Sequence, residues 1–342
     1  MAAMASRYDA LVVVSFGGPE EMDDVLPFLR NVVRGRGVPD QRLREVAAHY
    51  QHFGGRSPIN DQCRALVAAV QQELQCCGPR LPVYWGNRNW HPLLADTLLQ
   101  MARDGVTRAL AFVTSAFGSY SGCRQYLEDI ARARAEVGAG APEVDKLRLY
   151  YNHPGYVEPL VESVQAAFDG VAAERRAGAR LVFTAHSLPR AMARTSPYEA
   201  QLRECAALVA GRLGRDFSLA YQSRSGPPGQ PWLEPDVVDH LRRLAADGVG
   251  DVVLSPIGFV SDHMEVLYDL DLDARSRALE LGIRLVRAAT VGTHPRFVRM
   301  VRELVEERME DAPVRACLGG QGPAPDVCAP GCCPPPAAAR GA

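Results

Sequence analysis

Lysine is almost absent from this chain of 342 residues, because Lys146 is the only one and the other basic side chains are arginines. This bias is typical of codon usage in a GC-rich genome and indicates no function. Neither sign of charge is in excess, since 38 lysine and arginine residues against 40 acidic residues leave a net charge of −2. Proteins that bind nucleic acids usually carry a basic surface, so we expect no nucleic-acid partner.

Long apolar runs are also missing. No stretch approaches the ~20 apolar residues that a membrane-spanning helix requires. The first apolar run, residues 10–14, is short and follows a segment with a single arginine, which indicates a first strand rather than a signal sequence. These absences favour a cytoplasmic protein with at most peripheral membrane contact.

The chain repeats one pattern twice. Strand, polar turn and proline follow one another in residues 11–19 and again in 181–189, and each half continues with three further strand patterns separated by helices. Strands that alternate with helices predict parallel sheets, and the chain length favours about two domains. We therefore expect an α/β fold of two doubly wound, Rossmann-like domains, each with a four-stranded parallel sheet, that face each other across a cleft.

We place the first domain at residues 7–150 and the second at residues 151–310, and the last helix pattern, 295–309, is a candidate to cross back to the first domain. Residues 311–342 are rich in glycine, proline, alanine and cysteine. Such a composition cannot bury a core, so we expect a flexible tail rich in cysteine and proline.

Two strand ends carry titratable side chains. One strand breaks into a loop at His186, and a second strand, residues 251–260, runs into Asp262, His263 and Glu265. A lone histidine in such a loop is more often a hydrogen-bonded structural residue, and a charge run is more often a solvated face. Ligands of α/β proteins bind at the carboxyl ends of the strands, so the combination favours a functional site.

Glu265, Asp269 and Asp273 follow at a spacing of four residues, which aligns three carboxylates along one face of a helix. Like charges in a row repel each other and weaken the helix. Carboxylates and imidazoles bind hard and borderline divalent cations, and the same row can pass protons along a chain. The sequence therefore predicts a site that handles a divalent cation or relays protons.

Several strings of this chain resemble segments of the ferrochelatases, the enzymes that insert ferrous iron into a porphyrin. The two most specific strings are residues 184–189 and residues 261–268, each with a histidine at its third position. Further blocks that agree in order and spacing are residues 16–19, 53–60, 222–227 and 231–233. The resemblance runs from about residue 8 to about residue 306, and it implies a lyase, a porphyrin metal chelatase with two chelatase-type domains.

The resemblance implies roles on the metal side of the cleft. His186 is expected to act as proton acceptor or transient iron ligand, and Glu265 to carry protons or iron beside it. Asp269 and Asp273 are expected at the outer end of this path, where the family shows a hydrated-cation site. Two further residues are expected to orient Glu265, namely Asp262 and His263.

The resemblance also implies porphyrin contacts on the first domain. Phe16 stands where some bacterial members carry a tyrosine that contacts the metal; phenylalanine cannot ligate iron, and it either stacks on the macrocycle or packs in the core. Arginines suit the propionates of a porphyrin because guanidinium pairs with carboxylate in a bidentate fork, although solvated arginines are equally expected in this chain. The candidate contacts are Phe16, Arg34, Arg36, Tyr50, Arg56, Ser57, Tyr120 and Ser121.

Nine cysteines in a cytoplasmic protein need an explanation other than disulfides. Some ferrochelatases, including those of actinobacteria, carry a 2Fe-2S cluster on three tail cysteines and one internal cysteine, and the resemblance implies such a cluster here. The expected ligands are Cys123, Cys328, Cys332 and Cys333, with Cys317 as a spare. A cysteine-bearing tail without a cluster is the alternative.

The expected reaction is insertion of Fe2+ into coproporphyrin III, which yields coproheme for a downstream coproheme decarboxylase. The GC-rich composition and the tail cysteines are similar to those of actinobacterial members and favour this substrate, with protoporphyrin IX as the alternative. Two other classes stay open. One is a non-catalytic sensor that binds haem or iron, and the other is a chelatase for another metal or tetrapyrrole.

Overall fold

The computed structural model describes residues 8–35, 37–226 and 229–335, so the predicted porphyrin contact Arg36 lies outside the described residues. The strands are β1 (Ala10–Ser15), β2 (Val83–Asn87), β3 (Arg108–Val113), β4 (Glu143–Lys146), β5 (Arg180–His186), β6 (Phe217–Gln222), β7 (Asp251–Ser255) and β8 (Arg284–Arg287). The α-helices are α1 (Met22–Val32), α2 (Asp40–Gln51), α3 (Ile59–Cys77), α4 (Leu94–Arg103), α5 (Gln125–Val137), α6 (Pro154–Asp169), α7 (Arg190–Arg194), α8 (Tyr198–Leu213), α9 (Val237–Ala246), α10 (Met264–Val266), α11 (Arg275–Glu280) and α12 (Pro295–Glu310). Two segments are π-helical, π1 (Tyr120–Arg124) and π2 (Leu267–Ala274). None of these helices is both long enough and apolar enough to cross a membrane.

The strands form two parallel four-stranded sheets of identical order, β2-β1-β3-β4 in the first half and β6-β5-β7-β8 in the second. β1 is buried throughout and β5 along its central residues, as expected for strands that are covered by helices on both faces. The predicted α/β fold of two doubly wound domains is confirmed, including the internal repeat. Because β5 and β6 pair in parallel, His186 at the end of β5 lies beside Gln222 at the end of β6.

One apolar core joins the two halves of the molecule. The rings of Phe112 and Tyr150 in the first half lie 5.1 Å apart, and each ring lies 6.0 Å from Phe297 of α12. α12 also lies against α3, where Arg302 Nε donates to Glu73 Oε1 at 2.9 Å. The last helix therefore crosses back to the first domain and fixes the two domains against each other.

The described part of the tail, residues 311–335, forms no helix or strand but contacts the junction between the domains. Arg148 Nη2 donates to the carbonyl oxygen of Ala316 at 2.9 Å, and Asn152 Nδ2 donates to that of Gly322 at 2.8 Å. Both junction side chains are buried. These hydrogen bonds hold the tail against the junction between the two domains.

Candidate active site

His186 is held in place by the loop that follows β5. Its carbonyl oxygen accepts a hydrogen bond from Tyr198 Oη at 3.0 Å, and its Nδ1 lies 2.5 Å from the carbonyl oxygen of Ser187. Because a carbonyl oxygen can only accept, Nδ1 carries the proton in this contact. Nε2 is therefore the ring nitrogen that faces Glu265 and can bind a proton or a metal ion.

The side chains of His186 and Glu265 form a pair, with Nε2 and Oε2 3.6 Å apart. Burial alone would lower the pKa of His186, but the charge and hydrogen bond of Glu265, together with the Ser187 carbonyl and the charge of Asp269, raise that pKa to about 9. Burial would raise the pKa of Glu265, whereas His186, with a smaller contribution from His263, lowers it to about 2. The two groups therefore form an ion pair in which His186 carries the proton and Glu265 the negative charge. A cation that binds the Glu265 carboxylate competes with that proton.

The backbone of Glu265 is fixed on both sides. His263 precedes α10, and its Nδ1 accepts a hydrogen bond from the backbone N–H of Glu265 at 3.2 Å. Gln222 Nε2 donates to the carbonyl oxygen of Glu265 at 3.1 Å. The ring of His263 packs edge-on against Phe259 with 4.8 Å between the ring centroids. These contacts direct the Glu265 carboxylate toward His186.

The acidic row continues from Glu265 into π2. Asp269 Oδ2 accepts a hydrogen bond from Ser223 Oγ at 2.5 Å, and Asp273 lies 3.8 Å from Arg277. Burial raises the pKa of Asp269 to about 7, against the effect of the Ser223 hydroxyl and with the charge of Glu265 adding to it. Asp269 can therefore take up and release protons near neutral pH. The sequence offers no signal for the π-helical geometry, which is frequent at functional sites.

The carboxylate of Asp262 pairs with Arg287 rather than with Glu265. It accepts hydrogen bonds from Arg287 at 3.1 and 3.2 Å and from Thr290 at 3.2 Å. Arg287, at the end of β8, also donates to Asp271 of π2 at 2.7 Å. Arg287 thus joins the loop before α10 to the acidic helix. Sequence reasoning missed this residue because Asp262 and Arg287 lie 25 positions apart and nothing local connects them.

Helices α1 and α2 of the first domain cover the acidic segment of the second. Met264 is buried in an apolar cluster with Phe28 of α1 and Tyr50 of α2. Tyr268 of π2 stacks on His49 of α2, with 3.8 Å between ring centroids and 3° between ring planes. The metal side of the site is therefore built by both domains.

Three of the predicted porphyrin contacts lie near β1 and α2. Phe16 follows β1 and is 36% exposed. Tyr50 is buried, and the charge of Glu265 adds to burial in raising the pKa of its hydroxyl. Ser57 is buried as well, and its backbone N–H donates to the carbonyl oxygen of Pro19 at 2.9 Å. Of these three, Phe16 keeps an exposed ring surface against which a planar ligand can stack.

The remaining predicted contacts already have local partners. Arg34 is exposed and donates to an asparagine of α1, and Arg56 is exposed and pairs with an aspartate of α3 at 2.5 Å. Tyr120 and Ser121 lie on π1, where Tyr120 Oη donates to Glu128 Oε2 at 3.0 Å. Each guanidinium uses only part of its five N–H donors in these contacts, so both arginines keep donors for a ligand carboxylate.

The four predicted cluster ligands come from two distant segments, and their thiols interact in consecutive pairs, although no three His, Cys, Asp or Glu side chains of the described residues are placed to hold one metal ion. Cys123 of π1 is buried, and its thiol interacts with that of Cys328 in the tail. Cys328 interacts in turn with Cys332, and Cys332 with Cys333. Cys317 stands apart from them, beside a tyrosine of the domain junction.

The fold and the site define a protein class. It is an α/β protein of two parallel-sheet domains with a histidine–carboxylate pair at a strand end. The structure is similar to that of SirB from Bacillus subtilis, described with Fe3+, at a TM-score of 0.54 and 13% identity, with 89% of this chain and 98% of that chain covered. At this identity the similarity shows the fold alone.

The sequence comparisons narrow the class to a family. The family model described as Ferrochelatase matches residues 8–309. The coproporphyrin III ferrochelatases of Nocardia farcinica and Frankia alni are 54% and 56% identical to this chain, cover 97% of it in both cases, and are themselves covered over 99% and 88% of their lengths. The chain therefore belongs to the ferrochelatase family. The predicted family and the predicted kind of enzyme, a metal chelatase, are confirmed.

Proposed function

We propose that this protein inserts Fe2+ into coproporphyrin III and releases coproheme. The observation that carries the proposal is the His186–Glu265 pair, whose facing atoms lie 3.6 Å apart at a strand end. The names of the Nocardia and Frankia relatives favour the tetracarboxylate porphyrin over protoporphyrin IX. Exposed Arg34 and Arg56 are candidates to bind its propionates, and Phe16 to stack on the macrocycle.

Insertion of the metal exchanges two pyrrole N–H protons for one Fe2+ ion, so the site must accept protons and deliver a cation. In the resting pair the charge of Glu265 keeps His186 protonated. When Fe2+ binds the Glu265 carboxylate, it neutralises that charge, and His186 releases its proton. The neutral imidazole then accepts the two pyrrole protons one after the other, passing the first on along the acidic row before it takes the second, or it ligates the iron transiently as the ion enters the ring.

Asp269 and Asp273 provide the outer part of this path. Asp269 titrates near neutral pH because it is buried, so it can pass the released proton toward solvent. Asp273 is about half exposed at the next turn and suits the capture of a hydrated Fe2+ ion. The path thus leads from solvent to the His186–Glu265 pair.

Anaerobic Fe2+ insertion, followed through the visible spectra of coproporphyrin III and protoporphyrin IX in parallel, tests this proposal. We expect coproporphyrin to be consumed faster, and His186→Ala to lower kcat by about 10²- to 10⁴-fold with porphyrin binding retained. His240→Ala, which removes a histidine of α9 that is hydrogen-bonded to Ser218 of β6, is the matched control. A protoporphyrin preference assigns the alternative substrate, and no insertion with either porphyrin favours a non-catalytic haem or iron sensor.

We also propose that Cys123, Cys328, Cys332 and Cys333 bind a 2Fe-2S cluster. Four thiolates are the ligand set of such a cluster, and the mutual contacts of these thiols support the assignment. Across the described ranges no three His, Cys, Asp or Glu side chains stand ready to hold a metal ion, so these thiols must turn toward a common centre. When bound, the cluster supplies one-electron redox chemistry.

The colour of the protein tests the cluster. Protein purified without oxygen should be brown and contain acid-labile sulfide, and Cys328→Ser should bleach it. Cys317→Ser is the matched control, because Cys317 lies in the same tail but away from the four thiols. Colourless wild-type protein with at most one sulfide per chain contradicts the assignment.

We propose that the protein works in the cytoplasm with at most peripheral membrane contact. The small net charge and the lack of a membrane-spanning helix among the described residues support this placement. Coproheme still carries its propionates, so a coproheme decarboxylase is the expected recipient. Fractionation of cells that produce the tagged protein tests the location.

A further inference from the structure

Helix α8 carries three polar side chains that contact other parts of the molecule. Tyr198, Gln201 and Glu204 follow one another at a spacing of three residues, so each is a neighbour of the next on the helix surface. Tyr198 and Gln201 are buried, and Glu204 is partly buried. Each of the three has a hydrogen-bond partner outside the helix, and these partners belong to three different segments of the chain.

The first contact holds the backbone of His186. Tyr198 Oη donates to the carbonyl oxygen of His186, the last residue of β5, at 3.0 Å. The ring of Tyr198 also packs edge-on against Phe117 of the first domain, with 6.3 Å between the ring centroids. The position of Tyr198 therefore affects where the backbone of His186 lies.

The second contact joins α8 to the first domain. Gln201 Oε1 accepts a hydrogen bond from the backbone N–H of Gly118 at 2.7 Å. Gly118 approaches the start of α8 so closely that a Cβ atom at this position would lie 2.8 Å from Pro197 Cγ. Glycine permits this approach, which fixes α8 against the loop that leads to π1.

The third contact binds the tail. One carboxylate oxygen of Glu204 accepts hydrogen bonds from the backbone N–H groups of Gly320 and Gln321 at 3.0 and 3.1 Å. The other oxygen accepts a hydrogen bond from Tyr151 Oη at 2.8 Å. Hydrogen bonds to an ionised acceptor are stronger than neutral ones, so Glu204 anchors the tail on α8.

The tail backbone fits closely around this anchor. Gly319 has a φ of 77°, and a Cβ atom at this position would overlap Glu204 Oε1. On the preceding residue, the N–H of Leu318 donates to the carbonyl oxygen of Asn152 at 2.8 Å, and the Leu318 carbonyl oxygen accepts from Asn152 Nδ2 at 3.2 Å. This part of the tail is therefore bound both to the domain junction and to α8.

We propose that α8 is a positioning helix that links the tail, anchored on Glu204, to the backbone of His186 through Tyr198. The inference rests on the proposed role of His186 in metal insertion. Glu204 and Tyr198 lie about 9 Å apart along the helix axis. A helix is rigid over this distance, so a displacement at one residue is carried to the other.

The proposal predicts that tail binding affects kcat rather than porphyrin binding. A shift of about 1 Å in a reacting group can lower a rate about 100-fold, so the backbone position of His186 matters for proton transfer. The porphyrin contacts proposed above, Phe16, Arg34 and Arg56, do not lie on α8. Loss of the tail contact should therefore lower kcat and leave the KM for porphyrin unchanged.

Gly319→Ala tests the inference from the side of the tail, because the added methyl group displaces the Glu204 carboxylate while the sequence of α8 stays intact. Gly320→Ala is the matched control, since a Cβ atom there meets nothing within 4 Å and the backbone N–H is kept. Glu204→Leu removes the acceptor, and Glu204→Gln keeps one acceptor oxygen.

We expect kcat to fall about three- to tenfold in Gly319→Ala and in Glu204→Leu, with Glu204→Gln close to the wild type. Hydrogen exchange provides a readout besides activity. The backbone N–H of Ser187 donates to the carbonyl oxygen of Gln222 at 2.8 Å, and it should exchange faster in Gly319→Ala but not in Gly320→Ala.

A double-mutant cycle separates this linkage from a general loss of stability. Tyr198→Phe removes the hydroxyl that holds His186, so Gly319→Ala should lower kcat less in this background than in the wild type. If Gly319→Ala does not fold, Glu204→Leu takes its place in the cycle. Independent effects in the cycle, or equal kcat for Gly319→Ala and Gly320→Ala, overturn the inference. Wild-type turnover in His186→Ala instead refutes the proposed role of His186.

Discussion

Tyr268 of the acidic π-helix lies flat against His49 of the first domain, with 3.8 Å between the ring centroids. The contact joins the helix that carries Asp269 and Asp273 to α2, which also packs against Met264. Because these elements come from different domains, the stacked rings determine how closely the first domain covers the metal side.

We expect Tyr268→Ala to loosen this contact between the domains. The lost aromatic pair should lower the free energy of unfolding by at least about 1 kcal/mol. The KM for porphyrin should rise more than kcat falls, because His186 and Glu265 keep their own contacts. Tyr268→Phe preserves the ring and should behave like the wild type. Equal KM values for Tyr268→Ala and the wild type refute the role of the contact.

Arg287 offers a second prediction, because it holds Asp262 and Asp271 together while only 14% exposed. Arg287→Met leaves the partly buried Asp262 without a cation and Asp271 with only Arg275 at 3.9 Å, so the free energy of unfolding should fall by about 3–5 kcal/mol. The kcat for Fe2+ insertion should fall at temperatures where the variant is still folded, because α10 and π2 are no longer joined.

Arg242→Met serves as the control for Arg287, because its ion pair with Asp239 of α9 is exposed and should contribute little. Arg287→Lys restores the charge but not the three hydrogen bonds, so an intermediate kcat is expected. If Arg287→Met folds normally and retains wild-type kcat, Arg287 does not position the acidic segment.

The sequence predicted those parts of the site that lie at strand ends. His186 ends β5, and Glu265 lies in α10 after the loop that follows β7, and a parallel sheet brings the residues after its strands to one edge. The repeated strand and proline pattern likewise predicted two four-stranded parallel sheets. These features depend on local periodicity, which a single sequence displays.

Contacts between distant segments were not predictable. Arg287 reaches Asp262 only because β8 pairs with β7, and Asp262 lies in the loop that follows β7. Ser223 adopts a left-handed backbone conformation, with φ 62°, and this conformation places its hydroxyl against Asp269. Because the residue is not a glycine, the sequence gives no signal for the turn. Each of these contacts depends on tertiary packing, which overrides local propensity.

Asp269 leads to a prediction on the pH dependence of insertion. Its carboxyl is protonated below a pKa of about 7 and charged above it, so kcat should rise with pH through this range. Ser223→Ala removes a hydrogen bond that stabilises the charged form, so the rise should move to higher pH. Asp269→Asn should abolish it. Glu280→Gln, which neutralises an exposed carboxylate, is the control, and identical profiles for all four proteins refute the assignment.

The buried side chain of His153 leads to a prediction of how the free energy of unfolding depends on pH. It precedes α6, its Nδ1 accepts a hydrogen bond from the Gly155 backbone N–H at 3.0 Å, and burial lowers its pKa from 6.5 to about 3. The unfolded chain therefore binds a proton below pH 6.5 that the folded protein excludes. Above pH 6.5 His153 does not change the free energy of unfolding. As the pH falls from 6.5 toward 3, His153 lowers the free energy of unfolding, by about 2–3 kcal/mol at about pH 4.5.

His153→Asn isolates this contribution, because asparagine keeps a helix-capping oxygen but does not titrate. We expect urea unfolding of this variant to lose less stability between pH 7 and about pH 4.5 than the wild type loses. His294 is the matched control, since it caps α12 in the same way but is partly exposed and bonded to Glu162. His294→Asn should keep the wild-type pH dependence. An unchanged slope in His153→Asn means that His153 takes up its proton in the folded protein and that its burial does not destabilise the protein in acid.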